Sequence, residues 1–173
     1  LISYLGDSWR SKSDPVGYAR RLGVQMAGKV EIYGDSRTMF GSEPFLVSLG
    51  HNVHICAGVQ FLTHDGGVLA FRDRFPNLDL VAPIAVGNNV VIGVGAILLP
   101  GTAIGDDCII GAGAIVTGAV PTGSVAAGNP ARFIRSTEDY LAKALINSLE
   151  VGHLSPAEKC DFYRSRQEAR DSE

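Results

Sequence analysis

Histidine is the side chain that best suits proton transfer near neutral pH, because its imidazole titrates at about pH 6.5 when unperturbed. The chain has 173 residues and carries histidine at four positions, His51, His54, His64 and His153. Judged by residue type alone, each is interpreted as a solvated or hydrogen-bonded surface residue. A chemical role for any of them needs support from the pattern around it.

The cysteines offer little chemistry. Cys56, Cys108 and Cys160 are odd in number and widely separated. That spacing fits reduced structural thiols better than a disulfide framework or a CxxC metal site. We expect no metal.

Charge and hydropathy exclude several classes of protein. Lys and Arg total 15 against 18 for Asp and Glu, so the net charge of −3 indicates no broad basic surface for nucleic acid. The longest apolar stretch, residues 90–99, is too short to span a bilayer. The first residues lack a basic segment followed by an apolar one, so no signal peptide is visible and a cytoplasmic location is expected.

Large aliphatic residues recur at a constant step of six. They are Val86, Ile92, Leu98, Ile104, Ile110 and Val116. A second register, two positions earlier, holds apolar or small residues. Its members are Ile84, Val90, Ala96, Thr102, Cys108, Ala114 and Val120. Because residues two apart on a strand face the same side, each hexad supplies a large and a small inward residue.

A chain that turns after every short strand and keeps one face inward winds into a solenoid, with three hexads to a triangular coil. Leu49, Ile55 and Phe61 carry the same pattern earlier in the chain. Outward positions 91 and 109 are 18 residues apart, as are 97 and 115, and all four are aliphatic. Each pair is predicted to stack on one flat side that needs a partner, either the C-terminal helix or other subunits. The three-sided shape favours a cyclic trimer.

The repeat has clear limits. From Phe61 to Val86 the count is 25, one more than four hexads, so residues 62–83 are predicted to form a loop extruded from the solenoid. We expect an N-terminal helical segment over residues 1–29, the solenoid over 30–135 and a C-terminal helical extension over 136–173. Helix starts are predicted near Asp14, near Ser136 or Thr137, and at Ser155.

The hexads, the segment GVQFLTHD at 58–65 and the ending AGNPAR at 127–132 resemble the hexapeptide-repeat acetyltransferases, over roughly residues 49–135. The likeness is closest to the branch that acetylates sugars and surface-polysaccharide precursors. It implies an all-β dominated fold, a left-handed parallel β-helix with short N-terminal and C-terminal helices. The left hand comes from the resemblance alone, because the general crossover rule favours a right-handed connection.

The resemblance also implies a homotrimer with acetyl-CoA in the clefts between adjacent solenoids. His64 stands where the family has its catalytic histidine, so it is the predicted general base, a role worth about 10²–10⁴ in rate. Asp65 could orient the imidazole. Since adjacent residues on an extended strand point to opposite faces, a backbone carbonyl could hold the ring instead.

For the donor, the family pattern maps onto Ala112 and Thr117 along the pantetheine, and onto Arg132 and Arg135 near the phosphates. Arginine suits phosphate through its fixed fork of donors. The family often has a basic residue directly after the threonine, where this chain has Gly118. A charge contact is therefore expected to be missing.

For the acceptor, the segment THDGGVLAFR at 63–72 looks like acetyltransferases of bacterial capsule and O-antigen assembly. That likeness points to a hydroxyl or amine of a nucleotide-linked or lipid-linked sugar, whose phosphates Arg72 and Arg74 could contact. Val91 stands where sugar acetyltransferases often have Trp, so the cleft is expected to differ in shape.

Two alternatives remain open. A zinc-dependent, carbonic-anhydrase-like enzyme on the same solenoid would need three histidine ligands, for which His51, His54 and His64 are enough in number. A non-catalytic trimeric scaffold is the other alternative, since a fold does not determine a function.

Overall fold

The computed structural model of the protein describes residues 9–171, except for the side chains of Ala169 and Asp171. Most of its strands are only two or three residues long. In chain order they are β1 (Gln25–Met26), β2 (Val30–Ile32), β3 (Val47–Leu49), β4 (Val53–Ile55), β5 (Gln60–Phe61), β6 (Ile84–Val86), β7 (Val90–Ile92), β8 (Ile97–Leu98), β9 (Ala103–Ile104), β10 (Ile109–Ile110), β11 (Ile115–Val116), β12 (Ala119–Val120), β13 (Ser124–Gly128) and β14 (Ala131–Ser136).

These strands form three sheets, and the chain visits each sheet in turn. The first face has the order β1-β3-β6-β9-β12, the second β2-β4-β7-β10-β13-β14, and the third β5-β8-β11. Pairing is parallel throughout, except that β14 folds back antiparallel on β13. The result is a three-sided parallel β-helix whose coils stack on one another.

The interior of the coils follows the period of six. All the large residues of the predicted register are at most 5% exposed, and the smaller register is buried as well. Full burial of a Val, Leu or Ile side chain stabilises the fold by roughly 1.5–3 kcal/mol relative to leaving it exposed. The buried Thr102 hydroxyl donates to the carbonyl of Val116 at 3.0 Å, and burial raises the pKa of the Cys108 thiol. Both inward registers are therefore confirmed.

The outward residues stack as the sequence predicts. Val91 pairs with Ile109 on the second face, and Ile97 pairs with Ile115 on the third. Val91 is 38% exposed, so these apolar columns are partly open to solvent.

Corners between faces repeat one backbone conformation. Gly58, Gly95 and Gly113 have φ of +73°, +68° and +66°, in the left-handed region that favours glycine. A Cβ at any of them would meet no atom closer than 3.8 Å, so the conformation and not crowding requires glycine. At the corner between the first and second faces, Asn52 and Asn89 adopt the same region at +57° and +54°.

A narrow antiparallel neck carries residues 62–83 away from the stack. The amide of Asp65 donates to the Leu80 carbonyl, and the amide of Ala82 donates to the Thr63 carbonyl, both at 2.9 Å. Between the two sides of the neck lies a 3₁₀ helix, Gly66–Phe71. The coil resumes at β6.

Helices stand near both ends of the described chain, as predicted. Helix α1 (Pro15–Leu22) begins after Asp14, whose side chain accepts from the Gly17 amide at 2.8 Å. The chain divides into two compact units, with the boundary between Asp139 and Tyr140. Helix α2 (Thr137–Asn147) runs across that boundary, and α3 (Pro156–Asp171) lies in the second unit.

Helix α3 begins with a reciprocal capping box. The Ser155 amide donates to the Glu158 carboxylate at 2.7 Å, and the Glu158 amide donates back to the Ser155 hydroxyl. None of the helices within residues 9–171 combines the length and the apolar character needed to cross a membrane.

Candidate active site

His64 lies in the neck and contacts a carboxylate from an earlier coil. Its Nδ1 is 2.9 Å from Oε2 of Glu43, the residue directly before a short 3₁₀ helix, Pro44–Leu46. The hydroxyl of Thr63, which is fully buried, donates to the same oxygen at 2.7 Å. The three side chains form a small polar cluster at the base of the loop.

Electrostatics fix the proton positions in this cluster. The hydrogen bond from Thr63, followed by that from His64, lowers the pKa of Glu43 below its ordinary value. An ionised carboxylate only accepts, so Nδ1 of His64 must carry a proton. In the neutral imidazole, Nε2 then holds the lone pair. Among the described residues Nε2 has no hydrogen-bond partner, and the side chain is 38% exposed.

A cleft of about 210 Å³ opens beside His64. Its walls include Glu43, Asp65, Arg72 and Asp79 in addition to the histidine. A basic nitrogen on the wall of a polar cleft can take the proton of a bound hydroxyl, which is the chemistry of a general base.

Asp65 lines the cleft but does not contact the imidazole. Its carboxylate accepts from the amide of Gly67 at 2.8 Å and caps the 3₁₀ helix that follows. The residue that orients His64 is therefore Glu43, and not Asp65 or a backbone carbonyl. No sequence signal marked Glu43, which stands 21 positions upstream in an irregular segment.

The structure separates the two predicted acceptor arginines. Arg72 lines the His64 cleft, where Nε donates to the Leu78 carbonyl at 3.2 Å and Nη2 lies 3.5 Å from Asp79. Arg74 lies outside the cleft, with its guanidinium 5.5 Å from the centre of the Phe75 ring. Of the two, only Arg72 shares the cleft with His64.

The predicted donor residues are exposed or half-buried. Ala112 is at a corner, directly before Gly113, and Thr117 follows β11. Arg132 and Arg135 lie on β14, and neither forms an ion pair with any described residue. The side chain of Arg132 donates a hydrogen bond to the carbonyl of Ala131 at 2.9 Å. Two unpaired guanidinium groups on one strand fit a phosphate-bearing ligand.

His51 and His54 each have partners of their own, away from the His64 cluster. Nδ1 of His51 accepts from the Lys29 amide at 3.2 Å, whereas His54 contacts Tyr33 and Asn52. Within the described part of the chain, no group of three His, Cys, Asp or Glu side chains is placed to hold a metal ion.

Comparisons with known proteins agree with this architecture. A family model described as bacterial transferase hexapeptide (six repeats) matches residues 83–118. Protein CapG of Staphylococcus aureus is 47% identical over 140 residues, which cover 81% of each chain. A 2,3,4,5-tetrahydropyridine-2,6-dicarboxylate N-acetyltransferase of Staphylococcus carnosus is 42% identical over 90 residues, covering 52% of this chain and 33% of that relative.

Solved structures show the same likeness. A galactoside acetyltransferase in complex with coenzyme A has 27% identity and a TM-score of 0.59, covering 80% of this chain and 81% of that one. A maltose O-acetyltransferase from Clostridium difficile has 28% identity and a TM-score of 0.50, covering 69% of this chain and 73% of that one.

The coil of six-residue repeats and the acetyltransferase names of its relatives and structural neighbours together indicate an acyltransferase. The chain belongs to the hexapeptide-repeat transferase family, as the family match and the likeness to CapG show. The predicted left-handed parallel β-helix and the predicted acetyl-CoA-dependent acyltransferase are thereby confirmed.

Proposed function

We propose that the chain transfers an acetyl group from acetyl-CoA to a hydroxyl, or an amine, of a sugar or polysaccharide precursor, with His64 as the general base. One observation carries this proposal. The hydrogen bond between Nδ1 of His64 and the ionised Glu43 leaves Nε2 as the basic nitrogen beside the cleft.

The steps follow from that geometry. Acetyl-CoA supplies an activated thioester. Nε2 of His64 takes the acceptor proton as the acceptor oxygen bonds to the acyl carbon, and Glu43 stabilises the imidazolium that forms. When the carbon–sulfur bond breaks, His64 returns the proton to the sulfur. No acyl-enzyme is required, because a cleft can hold both reactants together.

The donor would lie along the later coils. In this proposal Ala112 and Thr117 contact the pantetheine, while Arg132 and Arg135 bind the phosphates. The exposure of Ala112, Thr117 and Arg132, and the lack of an ion pair at either arginine among the described residues, support that placement. Gly118 leaves open space beside Thr117, where a Cβ would meet no atom within 4 Å.

For the acceptor, Arg72 beside His64 would contact a phosphate or ring hydroxyl of the sugar. Asp65 would shape the same wall through the helix that it caps. The sugar-acetyltransferase names of the two structural neighbours support a sugar acceptor.

The apolar columns formed by Val91 with Ile109 and by Ile97 with Ile115 support a homotrimer in which each column packs against another copy. We assign the acyltransferase domain to residues 25–136 rather than the predicted 30–135, because β1 already pairs with β3 in the first face and β14 ends at Ser136. The start of the predicted N-terminal segment, residues 1–8, lies outside the described residues. The cytoplasm is the proposed location.

Calorimetric titration of acetyl-CoA into the purified chain tests the donor assignment without knowledge of the acceptor. Arg132→Ala is expected to weaken binding by about 10-fold or more, since a hydrogen bond to a charged group is worth about 1.5–3 kcal/mol. His64→Ala should bind as the unmodified protein does. Arg164→Ala, a change of the same kind in α3, serves as the matched control.

Saturable binding that Arg132→Ala weakens and Arg164→Ala does not would support the proposed donor site. Absence of binding to every form would contradict it.

A further inference from the structure

Three carboxylates and one guanidinium line the cleft beside His64. The acids are Glu43, Asp65 and Asp79, and the cation is Arg72. With a neutral imidazole, three negative charges and one positive charge give these walls a formal charge of −2. The surface around the basic nitrogen is therefore acidic, although an arginine taken alone would indicate a site for anions.

Arg72 already has polar partners within the chain. Its Nη2 lies 3.5 Å from Oδ1 of Asp79, and its Nε donates to the Leu78 carbonyl at 3.2 Å. A phosphate that bound this guanidinium would have to compete with Asp79, which lines the same cleft. The positive charge of the described walls is thus offset by the chain itself.

The other two carboxylates form no ion pair with Lys or Arg within the described part of the chain. Glu43 accepts hydrogen bonds from Thr63 and His64, and these bonds lower its pKa. Asp65 accepts from the Gly67 amide. When His64 has taken the acceptor proton, its imidazolium offsets only one of these charges, so the cleft stays negative.

The carboxylate oxygens that remain open are hydrogen-bond acceptors. Oδ1 is the bonded oxygen in both Asp65 and Asp79, and Oδ2 of each has no hydrogen-bond partner among the described residues. A carboxylate only accepts, so these atoms suit a group that donates, such as a sugar hydroxyl. A carboxylate or phosphate on the sugar would instead bring like charges together in a small cleft, which weakens binding.

We propose that the His64 cleft binds a sugar unit without a carboxylate or phosphate, so that any phosphate of the acceptor lies outside the cleft. This selectivity rests on the proposed acyl transfer, whose acceptor it narrows. Arg72 then contacts a ring hydroxyl rather than a phosphate. Asp65 and Asp79 determine the specificity, because they supply negative charge in addition to that of Glu43.

Nitrogen NMR of the full chain with ¹⁵N-labelled histidine tests the selectivity, because the ring signals of His64 report on the cleft. A pH of about 8 keeps imidazoles neutral. The probes are glucose and glucuronate, which differ only at C6, where glucuronate has a carboxylate. Each is added to about 50 mM, since ligands with few contacts bind in the millimolar range. The ionic strength is held at about 0.1 M, where charges about 10 Å apart still interact.

We expect glucose to shift the His64 signals saturably, and glucuronate to bind at least about 5-fold more weakly. The difference should shrink at an ionic strength of about 1 M, because salt screens charge but not shape. Asp79→Asn removes a negative charge and frees Arg72, so it should tighten glucuronate binding about 2- to 5-fold and leave glucose binding nearly unchanged. Asp161→Asn makes the same change in α3 and should alter neither affinity.

Equal or tighter binding of glucuronate at His64 would overturn the selectivity and leave the proposed acyl transfer intact. A difference that persists at high salt would also overturn it, since shape and not charge would then separate the two sugars. Shifts of the His64 signals with neither sugar would contradict the proposed sugar acceptor, and the selectivity with it.

Discussion

His64 and His54 both use Nδ1 to contact a side chain from the preceding coil, yet their protons lie on opposite nitrogens. At His64 the contact is a carboxylate, so Nδ1 donates, and Nε2 has no partner among the described residues. Asn52 donates its NH₂ group to Asn89, so its amide carbonyl faces His54. At His54 the Nε2–H group donates to the amide carbonyl of Asn52, and Nδ1 accepts from the Tyr33 hydroxyl. The partner of the ring, and not the ring itself, decides which histidine can act as a base.

The difference has a structural origin. His64 is in the neck, where the coil is interrupted and irregular segments bring Glu43 to it. His54 is at the centre of β4, where stacked coils repeat the same polar corner. Regular stacking fills both ring nitrogens, whereas the interruption leaves one of them free.

The largest expected effect is at the free nitrogen. His64→Ala should lower kcat for transfer to a sugar acceptor by about 10²–10⁴, the usual contribution of a general base. His54→Ala should retain more than about a tenth of kcat, and His51→Ala serves as the control. Equal losses in the His64 and His54 variants would break the comparison.

Replacing the carboxylate tests the orientation of the ring. Glu43→Gln can present an NH₂ group to Nδ1, which would move the imidazole proton to Nε2, so kcat should fall by about 10²-fold or more. Thr63→Val, which keeps the shape but removes a donor to Glu43, should cost less. Affinity for acetyl-CoA should stay constant in both variants, and a fully active Glu43→Gln would show that the contact is not needed.

The pH dependence of stability tests the charge on Glu43. Because folding lowers its pKa, the carboxylate contributes stability above the ordinary carboxyl range, and this contribution is lost as the pH falls through the lowered pKa. Thermal unfolding should show Glu43→Gln less stable by about 1 kcal/mol at neutral pH. The gap should close as the pH falls through the lowered pKa of Glu43, and a gap that grows on acidification would contradict the assignment.

The smallest effect is expected at Gly118, where a side chain would enter open space. Gly118→Lys places a cation in the open space beside Thr117 and should tighten acetyl-CoA binding about 2- to 5-fold, as expected for exposed charges. Gly152→Lys, another glycine with open space around it, is the control. The gain should disappear at about 1 M salt, where exposed charges are screened.

Periodicity made the coil predictable. A residue such as Leu98 or Ile110 is buried because its place in the hexad faces inward, and Val91 lies over Ile109 because three hexads complete one coil. These features depend only on spacing, which a single sequence displays.

The contacts at the site could not be read in the same way. Glu43 and Tyr33 precede the regular repeats, where no period links them to His64 or His54. Asp65 is the nearest carboxylate to His64 in sequence. The two glycines after it allow a tight turn, in which the Gly67 amide donates to the Asp65 carboxylate. In a solenoid, residues that are in contact are often one coil apart. Where a coil is irregular, the sequence does not show how many residues the coil contains.

The neck has a consequence for how such enzymes diversify. The bonds from Leu62 to Leu98 and from Ala82 to Thr63 close it on the side of the stack, so the register of the coils does not depend on what lies between residues 66 and 79. Insertions or exchanges in that stretch leave the later coils, with Arg132 and Arg135, in place. The proposed acceptor wall can thus change in evolution without any change in the position of the proposed donor groups.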